Sequence, residues 1–255
     1  MRFVRFLINN EPQYGLLEGG VIHLWTNAPW LGGANLDIRY KLDDVKLLAP
    51  CQPGKIIATA INFPGATGLS EKNNEPLVFI KPSTSVIGDG DTIISPFTDT
   101  DVWGECELGV VIGKTLKNAG AEEARASIFG YTVGNDVSCE NILGWDHHLA
   151  RSKGADTFCV LGPWIDTDFD PQGKYISGHH NDILMREGYC HERLWAEPEL
   201  LVWLSSWMTL EPGDVILTGA PSRVRPRAYL KTGDQFRCYI EGLGEISNPF
   251  KIRLD

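Results

Sequence analysis

The chain has 255 residues, of which 43% are hydrophobic and 22% are charged, and its formal net charge at pH 7 is −10. This composition is typical of a globular protein that buries a full core. The acidic balance argues against nucleic acid or an anionic membrane as a partner, because phosphate binding requires clustered lysine and arginine. No apolar run approaches the roughly 20 residues that a membrane-spanning helix requires, so we expect no membrane partner.

The six cysteines are scattered singly, without a CxxC pair or a short regular spacing. This pattern indicates buried, reduced thiols rather than a disulfide framework. The N-terminal stretch MRFVRFLINNEPQYG turns polar too early for a signal peptide. We therefore expect a cytoplasmic protein.

Short alternating segments open the chain. FVRFLINN and QYGLLEGGVIHLW alternate apolar and polar residues around turn residues, which predicts strands, whereas NAPWLGGANLD is predicted to be a loop. Pro50 and Pro53 then mark a boundary. The sequence thus predicts a small N-terminal β domain over residues 1–48 and a main domain over residues 49–255.

The main domain is predicted to be mostly strand with a few helices. PLVFIKPSTSVIGDGDTIISP predicts two strands joined through the turn-rich GDGD, and YTVGNDVS and VILTGAP predict further strands. AGAEEARASIFG has a helix-forming composition. EPELLVWLSSWMTL predicts an amphipathic helix, whose apolar residues at helical spacing are Leu200, Leu201, Leu204, Trp207 and Met208. Without regular βαβα alternation, the sequence favours a mostly β, α+β fold.

The segment VWGECELGVVIGK places two carboxylates in an otherwise apolar strand. Glu105 and Glu107 share one face of that strand, because side chains alternate between faces. Two buried carboxylates repel each other and lose solvation unless a cation compensates them. A set of oxygen ligands suits Mg²⁺, Mn²⁺ or Ca²⁺ rather than Zn²⁺. The alternative is an exposed edge strand with two solvated glutamates, which is the commoner situation for charged residues.

A third carboxylate, Asp136, closes the small-residue strand GYTVGNDVS. Alone, such a residue is more often a turn or cap residue. Together with Glu105 and Glu107 it would complete a Glu/Glu/Asp set that holds one ion on one side and leaves positions open for substrate.

Six segments in the correct order resemble the fumarylacetoacetate hydrolase superfamily. DVWGECELGVVIGK resembles its acidic E-x-E-L strand, GYTVGNDVS its G-Y-T-x-x-N-D-x-S strand, and RSKGADTFCVLGPW its R-x-K-x-x-D-x-F-x-x-x-G-P segment. LAPCQPGKII, FIKPSTSVIGDGDTI and SSWMTLEPGDVILTGAP match the remaining segments. The resemblance implies a mixed β-sandwich roll, Mg²⁺ or Mn²⁺ held by Glu105, Glu107 and Asp136, a small-molecule 2-oxo acid substrate, and a homodimer.

The resemblance also suggests that Lys153 and Thr218 lie beside the substrate. The Lys153 ammonium would pair with a substrate carboxylate or a developing enolate, and Arg151 would clamp a carboxylate. The hydroxyl of Thr218 and nearby backbone amides, such as that of Gly219, would face a carboxylate as well. The alternatives are that Lys153 is an ordinary surface lysine, that Arg151 only solvates its loop, and that Thr218 is a turn residue.

The chain departs from the family at its lid. Hydrolases of this family usually carry N-Y-x-x-H-x-x-E on a short lid helix, whose histidine and glutamate activate water. Here Asn62 and Phe63 fit, but Ala66 and Leu69 stand where the histidine and glutamate are expected, and Glu71 is out of phase. PGATG is also a poor helix. The chain has therefore lost the family's obvious general base.

Two other segments differ, and two histidine pairs remain. TGTP is altered to TGAP, and the N-G-x-x-x-Q segment is not evident around REGYCHERLW. His147 and His148, a few residues before Lys153, are candidate catalytic substitutes for the lid histidine; the alternative is a solvent-facing loop. His179 and His180 form the second pair, but neither pair has the spacing of a zinc site.

A divalent ion that chelates a 2-oxo acid stabilises an enolate. Three reactions share this enolate: hydrolysis of an acylpyruvate, decarboxylation, and keto–enol or double-bond isomerisation. Loss of the lid histidine and glutamate argues against hydrolysis, which needs a base to activate water. We expect a Mg²⁺-dependent C–C bond-cleaving enzyme of a 2-oxo or β-diketo acid, with a tautomerase or isomerase as the alternative.

Two further hypotheses stay open. One is a metal-binding homologue that has lost catalysis together with its lid pair. The other is a diverged, biosynthetic enzyme in which Trp103, Trp145 and Trp195 shape an aromatic pocket, although tryptophans more often pack in cores and interfaces.

Overall fold

Strands dominate the computed structural model, which describes residues 1–66, 72–141 and 144–253. Three α-helices occur in this part of the chain: α1 (Ala121–Ser127), α2 (Ala150–Lys153) and α3 (Glu199–Trp207). The prediction of a mostly β fold with a few helices is confirmed. No helix among these residues is both long and apolar enough to cross a bilayer.

Twelve strands form the large sheet. They are β1 (Arg2–Ile8), β2 (Glu11–Glu18), β3 (Val21–Trp25), β4 (Asn35–Lys41), β5 (Leu47–Leu48), β6 (Ile56–Ala60), β7 (Leu77–Lys81), β8 (Val86–Ile87), β11 (Cys106–Ile112), β12 (Ile128–Asp136), β14 (Cys159–Asp166) and β17 (Val215–Leu217). The order is β4-β3-β2-β1-β14-β12-β11-β17-β6-β7, with β5 on β1 and β8 on β14. The pairs β17–β6 and β14–β8 are parallel, so the sheet is mixed.

A second sheet of five strands packs against the first. Its order is β16 (Ile183–Tyr189), β15 (Tyr175–His180), β18 (Gln235–Ile240), β19 (Gly244–Ile252) and β9 (Ile93–Ser95). A separate two-stranded ribbon joins β10 (Val102–Trp103) to β13 (Ser138–Cys139).

The core lies between the two sheets because alternate residues of the second sheet face inward. In β18, Phe236, Cys238 and Ile240 are buried and alternate with more exposed residues, as a half-buried strand requires. They share one apolar cluster with Leu108 and Val110 of β11. Every residue of β11 is buried, since this strand lies inside the large sheet between β12 and β17. The carboxylate of Glu107, which lies on β11, therefore enters the interior.

The N-terminal strands extend the large sheet rather than forming a sheet of their own. β1 pairs with β14 in antiparallel register, while Val4, Phe6 and Ile22 belong to a separate small core cluster. The division at residues 48 and 49 stays a prediction. The predicted loop NAPWLGGANLD differs from the structure, because β4 begins at Asn35 within it.

Two further elements differ from expectation. The strands on either side of GDGD lie in different sheets, because β8 pairs with β14 whereas β9 pairs with β19. Helix α3 buries Leu200, Leu201 and Leu204 as predicted, but Trp207 is 49% exposed. All six cysteines are free and buried, as predicted.

Candidate functional site

The three predicted carboxylates converge at neighbouring ends of β11 and β12. Glu107 lies opposite Gly134 in the antiparallel register, and the Asp136 backbone N–H donates to the Glu105 carbonyl oxygen at 2.9 Å. One carboxylate oxygen from each of Glu105, Glu107 and Asp136 lies within 4.8 Å of the others. Glu107 and Asp136 are almost completely buried. The prediction of a buried acidic group, rather than an exposed edge strand, agrees with this geometry.

Three basic side chains contact these carboxylates directly. Lys153 Nζ donates to Asp136 Oδ2 and, at 2.9 Å, to Glu105 Oε2. Lys81 Nζ donates to Asp136 Oδ1 at 2.5 Å. Arg186 donates to Glu105 Oε1 at 2.5 Å and to the Pro221 carbonyl oxygen at 2.7 Å. The formal charges of the three acids and the three bases therefore cancel.

The basic residues compensate the carboxylates unequally. Burial alone would raise the pKa of Glu105, but Lys153 and Arg186 outweigh it and lower the pKa to about 2. The pKa of Glu107 is raised well above its ordinary value by burial, with Asp136 and Glu105 adding repulsion. The Gly219 backbone N–H, 2.7 Å from Glu107 Oε2, opposes this only in part. Burial lowers the pKa of Lys153, but Asp136 and Glu105 more than reverse this.

This acidic group fits a hard divalent cation. Two oxygens bound to the same ion are at most about 4.2 Å apart for Mg²⁺ and about 5 Å apart for Ca²⁺. The three oxygens, which lie within 4.8 Å of one another, would therefore have to move slightly closer to hold the smaller ion. Carboxylate oxygens are the ligands that such ions prefer. The repulsion that Glu107 experiences from Asp136 and Glu105 is also the kind that a cation relieves.

A cavity of about 590 Å³ opens above the acidic group. Its volume is in the range of ordinary small-molecule sites. Its other charged lining residues are Lys153, Arg186, Arg223, Arg225 and Arg227. The remaining lining residues are Thr59, Ala60, Ile61, Gly65, Ala66, Phe79, Trp103, Leu149, Ala220, Ser222 and Pro226.

Of the other predicted site residues, Lys153 lines the cavity and is buried, so it is not a surface lysine. His147 and His148 are exposed and do not line the cavity, although the next residue, Leu149, does. All six histidines of the chain lie in the described ranges, and none of them lines this cavity. The catalytic role of the histidine pair stays a prediction.

None of the predicted substrate-binding residues, Arg151, Thr218 and Gly219, lines the cavity. Arg151 stacks on Phe97 at 3.8 Å and donates to Thr100. The Thr218 hydroxyl donates to the Leu108 carbonyl oxygen at 2.8 Å, and Gly219 supports Glu107 through its N–H. These contacts are with protein groups, so substrate binding by the three residues stays a prediction.

The lid segment begins at the cavity. The Asn62 side chain donates to the carbonyl oxygens of Thr218 and Trp195, and Ala66 lines the cavity where the family resemblance predicts a histidine. Leu69 and Glu71 lie outside the described residues. Among the tryptophans proposed to shape an aromatic pocket, Trp103 lines the cavity, whereas Trp145 is 78% exposed and Trp195 is not a lining residue.

Sequence reasoning missed Lys81 and Arg186. Lys81 carries one signal, because it follows the alternation of β7 and shares the buried face with Phe79 while Ile80 is exposed. Arg186 carries no such signal, because strand alternation does not indicate that β16 approaches Glu105. Its guanidinium places a positive charge beside Glu105.

Two protein-family models match the chain. The family model for the fumarylacetoacetate hydrolase C-terminal domain matches residues 55–251, and a model described as Rv2993c-like, N-terminal, matches residues 1–50. The mitochondrial oxaloacetate tautomerase Fahd2a of Rattus norvegicus is 33% identical, over 97% of this chain and 91% of that protein.

Two solved structures are similar over their whole length. The 5-carboxymethyl-2-hydroxymuconate delta-isomerase from Mycobacterium smegmatis has a TM-score of 0.91 and 35% identity, covering 99% of this chain and 100% of that one. The maleylpyruvate hydrolase from Sphingobium sp. SYK-6, in complex with manganese(II) and pyruvate, has a TM-score of 0.79 and 26% identity, covering 100% of both chains. These named relatives are enzymes, and the chain belongs to the fumarylacetoacetate hydrolase superfamily.

Proposed function

We propose that this chain is a divalent-metal-dependent tautomerase or isomerase of a 2-oxo acid. The observation that carries the proposal is a buried Glu/Glu/Asp group beneath a cavity that contains Lys153 but none of the six histidines. Hydrolysis requires a base that activates water, whereas tautomerisation requires stabilisation of the enolate and a proton shuttle between oxygen and carbon, a role that Lys153 can take.

Each residue has a distinct task in this proposal. Glu105, Glu107 and Asp136 would hold Mg²⁺ or Mn²⁺, and the Gly219 N–H orients Glu107. A bound ion would supply a Lewis acid for the carboxylate and keto oxygens of a 2-oxo acid. Lys153 Nζ lies beside two of the carboxylates, where it can give a proton to the enolate carbon and be reprotonated by the proton that the enol oxygen loses.

C–C bond cleavage is the second candidate. The similar structure with manganese and pyruvate is a hydrolase of maleylpyruvate, which supports cleavage of a related 2-oxo or β-diketo acid. Decarboxylation is compatible with the same cavity, because it requires an electron sink and no base. Hydrolysis would need His147, His148 or another group to reach the substrate, and the two histidines are exposed outside the cavity.

One experiment separates these activities. Enol-to-keto conversion of oxaloacetate is followed by ultraviolet absorbance with Mg²⁺ or Mn²⁺, and pyruvate from oxaloacetate or acylpyruvates is measured in parallel. We expect metal-dependent tautomerisation that Glu107→Gln abolishes. Pyruvate formation at a comparable rate would instead favour C–C cleavage. Metal-dependent oxalate binding without either reaction would identify a binding protein and refute both proposals.

Assembly and location are separate proposals. Membership of the superfamily supports a homodimer, which light scattering at several protein concentrations tests. The rat relative is named as mitochondrial, and the cytoplasmic location of this chain stays a prediction.

A further inference from the structure

Two residues with a strained backbone line the cavity above the acidic group. In the part of the chain that the structure describes, eight residues other than glycine have a positive φ, and five of them are asparagine or aspartate, which tolerate this conformation. The other three are Ile61 at +55°, Leu149 at +57° and Thr157 at +69°. Ile61 and Leu149 line the cavity. Bulky side chains rarely adopt the left-handed region, and strain of this kind concentrates at functional sites.

We propose that Ile61 and Leu149 are substrate-positioning residues, which together with Phe79 form an apolar wall of the cavity. The carbon chain of the substrate packs on this wall, so that the carbon next to the keto group lies beside Lys153. The inference rests on the proposed function, in which the carboxylate and keto oxygens of the 2-oxo acid lie at the acidic group.

The apolar wall adjoins Lys153. The Lys153 Nζ lies 4.8 Å from the centre of the Phe79 ring, and Leu149 packs against the apolar cluster that contains Phe79. The Lys153 backbone N–H donates to the Leu149 carbonyl oxygen at 3.0 Å, so Leu149 lies one helical turn before the lysine. A carbon chain that contacts Phe79 and Leu149 is therefore next to the ammonium group.

The turn before α2 holds Leu149 in its conformation. The Leu149 N–H donates to the Asp146 carbonyl oxygen at 3.1 Å. The Asp146 carboxylate accepts hydrogen bonds at 2.7 Å from both the backbone N–H and the hydroxyl of Ser152. Two more hydrogen bonds join Asp146 to Asn141. A strained conformation persists only where the surrounding contacts over-determine it, and this turn meets that condition.

A second set of contacts holds Ile61. The next residue, Asn62, is 1% exposed, and its side chain donates to the carbonyl oxygens of Trp195 at 2.7 Å and Thr218 at 2.8 Å. Its side-chain oxygen accepts the Trp195 N–H at 2.7 Å. Thr218 is followed by Gly219, whose N–H supports the acidic group. Both strained residues are thus fixed to parts of the chain that hold the site.

The chemistry of the substrate explains why such a wall is apolar. The oxygen atoms of a 2-oxo acid can be held by ionic contacts and hydrogen bonds, but its methylene carbons can be held only by packing. Proton transfer requires the reacting atoms to be about 3–3.5 Å apart, so the position of these carbons determines the rate. Strain in Ile61 and Leu149 keeps their side chains at the cavity rather than turned away from it.

The test uses Ile61→Asn and Leu149→Asn. Asparagine accepts a positive φ and is similar in size, so each variant removes apolar surface and relieves the strain. The control is Asn118→Leu, at an exposed position with φ +48° outside the cavity, which introduces a strained leucine instead. Thermal unfolding without metal, kcat for enol-to-keto conversion of oxaloacetate, and calorimetric binding with Mg²⁺ are measured. The calorimetric ligands are oxalate, which has no carbon chain, and pyruvate and 2-oxopentanoate, which differ by two methylene groups.

We expect 2-oxopentanoate to bind the unmodified protein about tenfold more tightly than pyruvate, since burying two methylene groups has about that effect. Ile61→Asn and Leu149→Asn should reduce this preference at least about threefold and lower kcat about tenfold. Oxalate binding should not change, and the unfolding midpoint should stay the same or rise because strain is relieved. Asn118→Leu should lower the midpoint and leave kcat unchanged.

Three results would overturn the positioning role alone. They are a midpoint that falls together with kcat in both asparagine variants, a preference for 2-oxopentanoate that is absent from the unmodified protein or retained in both variants, and an unchanged midpoint in Asn118→Leu. Failure of oxalate to bind with Mg²⁺ or Mn²⁺ would overturn the proposed function, and the positioning role with it.

Discussion

Lys81 Nζ lies 2.5 Å from Asp136 Oδ1, and both side chains are almost completely buried. Removing one partner of a buried ion pair leaves the other charge uncompensated, which typically costs about 3–5 kcal/mol. We therefore expect Lys81→Met to lower the free energy of unfolding by about 3 kcal/mol, because Lys153 still compensates Asp136 in part. Urea denaturation monitored by tryptophan fluorescence measures this change.

The matched control is Lys46→Met. Lys46 pairs with Asp91 at 2.7 Å but is 59% exposed, and surface pairs contribute about 0–1 kcal/mol. Equal losses in the two variants would contradict the view that burial makes the Lys81 pair different.

The pair also shows where sequence reasoning stops. Glu105 and Glu107 could be placed on one face from strand alternation alone, and a third carboxylate on a second small-residue strand completed the set. Lys81 is 55 residues from Asp136, and Arg186 is 81 residues from Glu105. Strand alternation is a local pattern and carries no information about contacts so far apart in the sequence, so Lys81 and Arg186 were not predicted.

The same limit applies to the fold. Alternation and the short turns between the segments predicted β1 to β3, although burial alternates strictly only in β3. The positions of β8 and β9 were not predictable in this way, since each joins a parallel partner that is far along the chain. The alternation of apolar and polar residues indicates that a segment is a strand. It does not indicate which other strand the segment pairs with, because that depends on how the two sheets assemble.

Metal binding provides the second prediction. Glu107→Gln keeps the size of the side chain but removes a charged ligand, so we expect Mn²⁺ affinity to fall at least about tenfold. Titration of free Mn²⁺ by electron paramagnetic resonance measures it. Glu122→Gln, an exposed residue of α1, should bind Mn²⁺ like the unmodified protein. A Glu107→Gln protein with unchanged affinity would refute the proposed ligand set.

The pH dependence of metal binding follows from the raised pKa of Glu107, caused by burial and then by Asp136 and Glu105. A metal ligand must be deprotonated, so binding releases a proton wherever Glu107 is protonated in the free protein. The affinity for Mn²⁺ should therefore fall as the pH is lowered through this raised pKa, at values where an ordinary glutamate remains ionised. Calorimetry in buffers of different ionisation enthalpy measures the number of protons released when Mn²⁺ binds. The Glu107→Gln protein should release fewer protons than the unmodified protein. A binding constant independent of pH between about 5 and 8 would contradict the raised pKa.

Lys153 should affect turnover separately from metal binding. Its ammonium contacts the same carboxylates that would hold the ion, so removing it does not remove a metal ligand. We expect Lys153→Gln to retain Mn²⁺ binding while kcat falls about 100-fold, the typical scale for losing a positioned proton donor. Lys117→Gln, at an exposed position, is the control. Parallel loss of Mn²⁺ and activity would show that Lys153 acts only by maintaining the acidic group.

Gly219 connects the backbone to the acidic group, since its N–H donates to Glu107 at 2.7 Å while φ is +88°. A Cβ at this position would lie 2.7 Å from Asn62 Cβ, whereas Gly90, at φ +76°, has nothing within 4 Å of its Cβ position. Gly90→Ala should therefore cost only the backbone strain, about 1 kcal/mol. Gly219→Ala should cost about 1–3 kcal/mol more, from overpacking, and should weaken Mn²⁺ binding because the donor to Glu107 shifts. Thermal unfolding with and without Mn²⁺ measures both effects. If the two variants lose equal stability and bind Mn²⁺ equally well, the Gly219 amide does not orient Glu107.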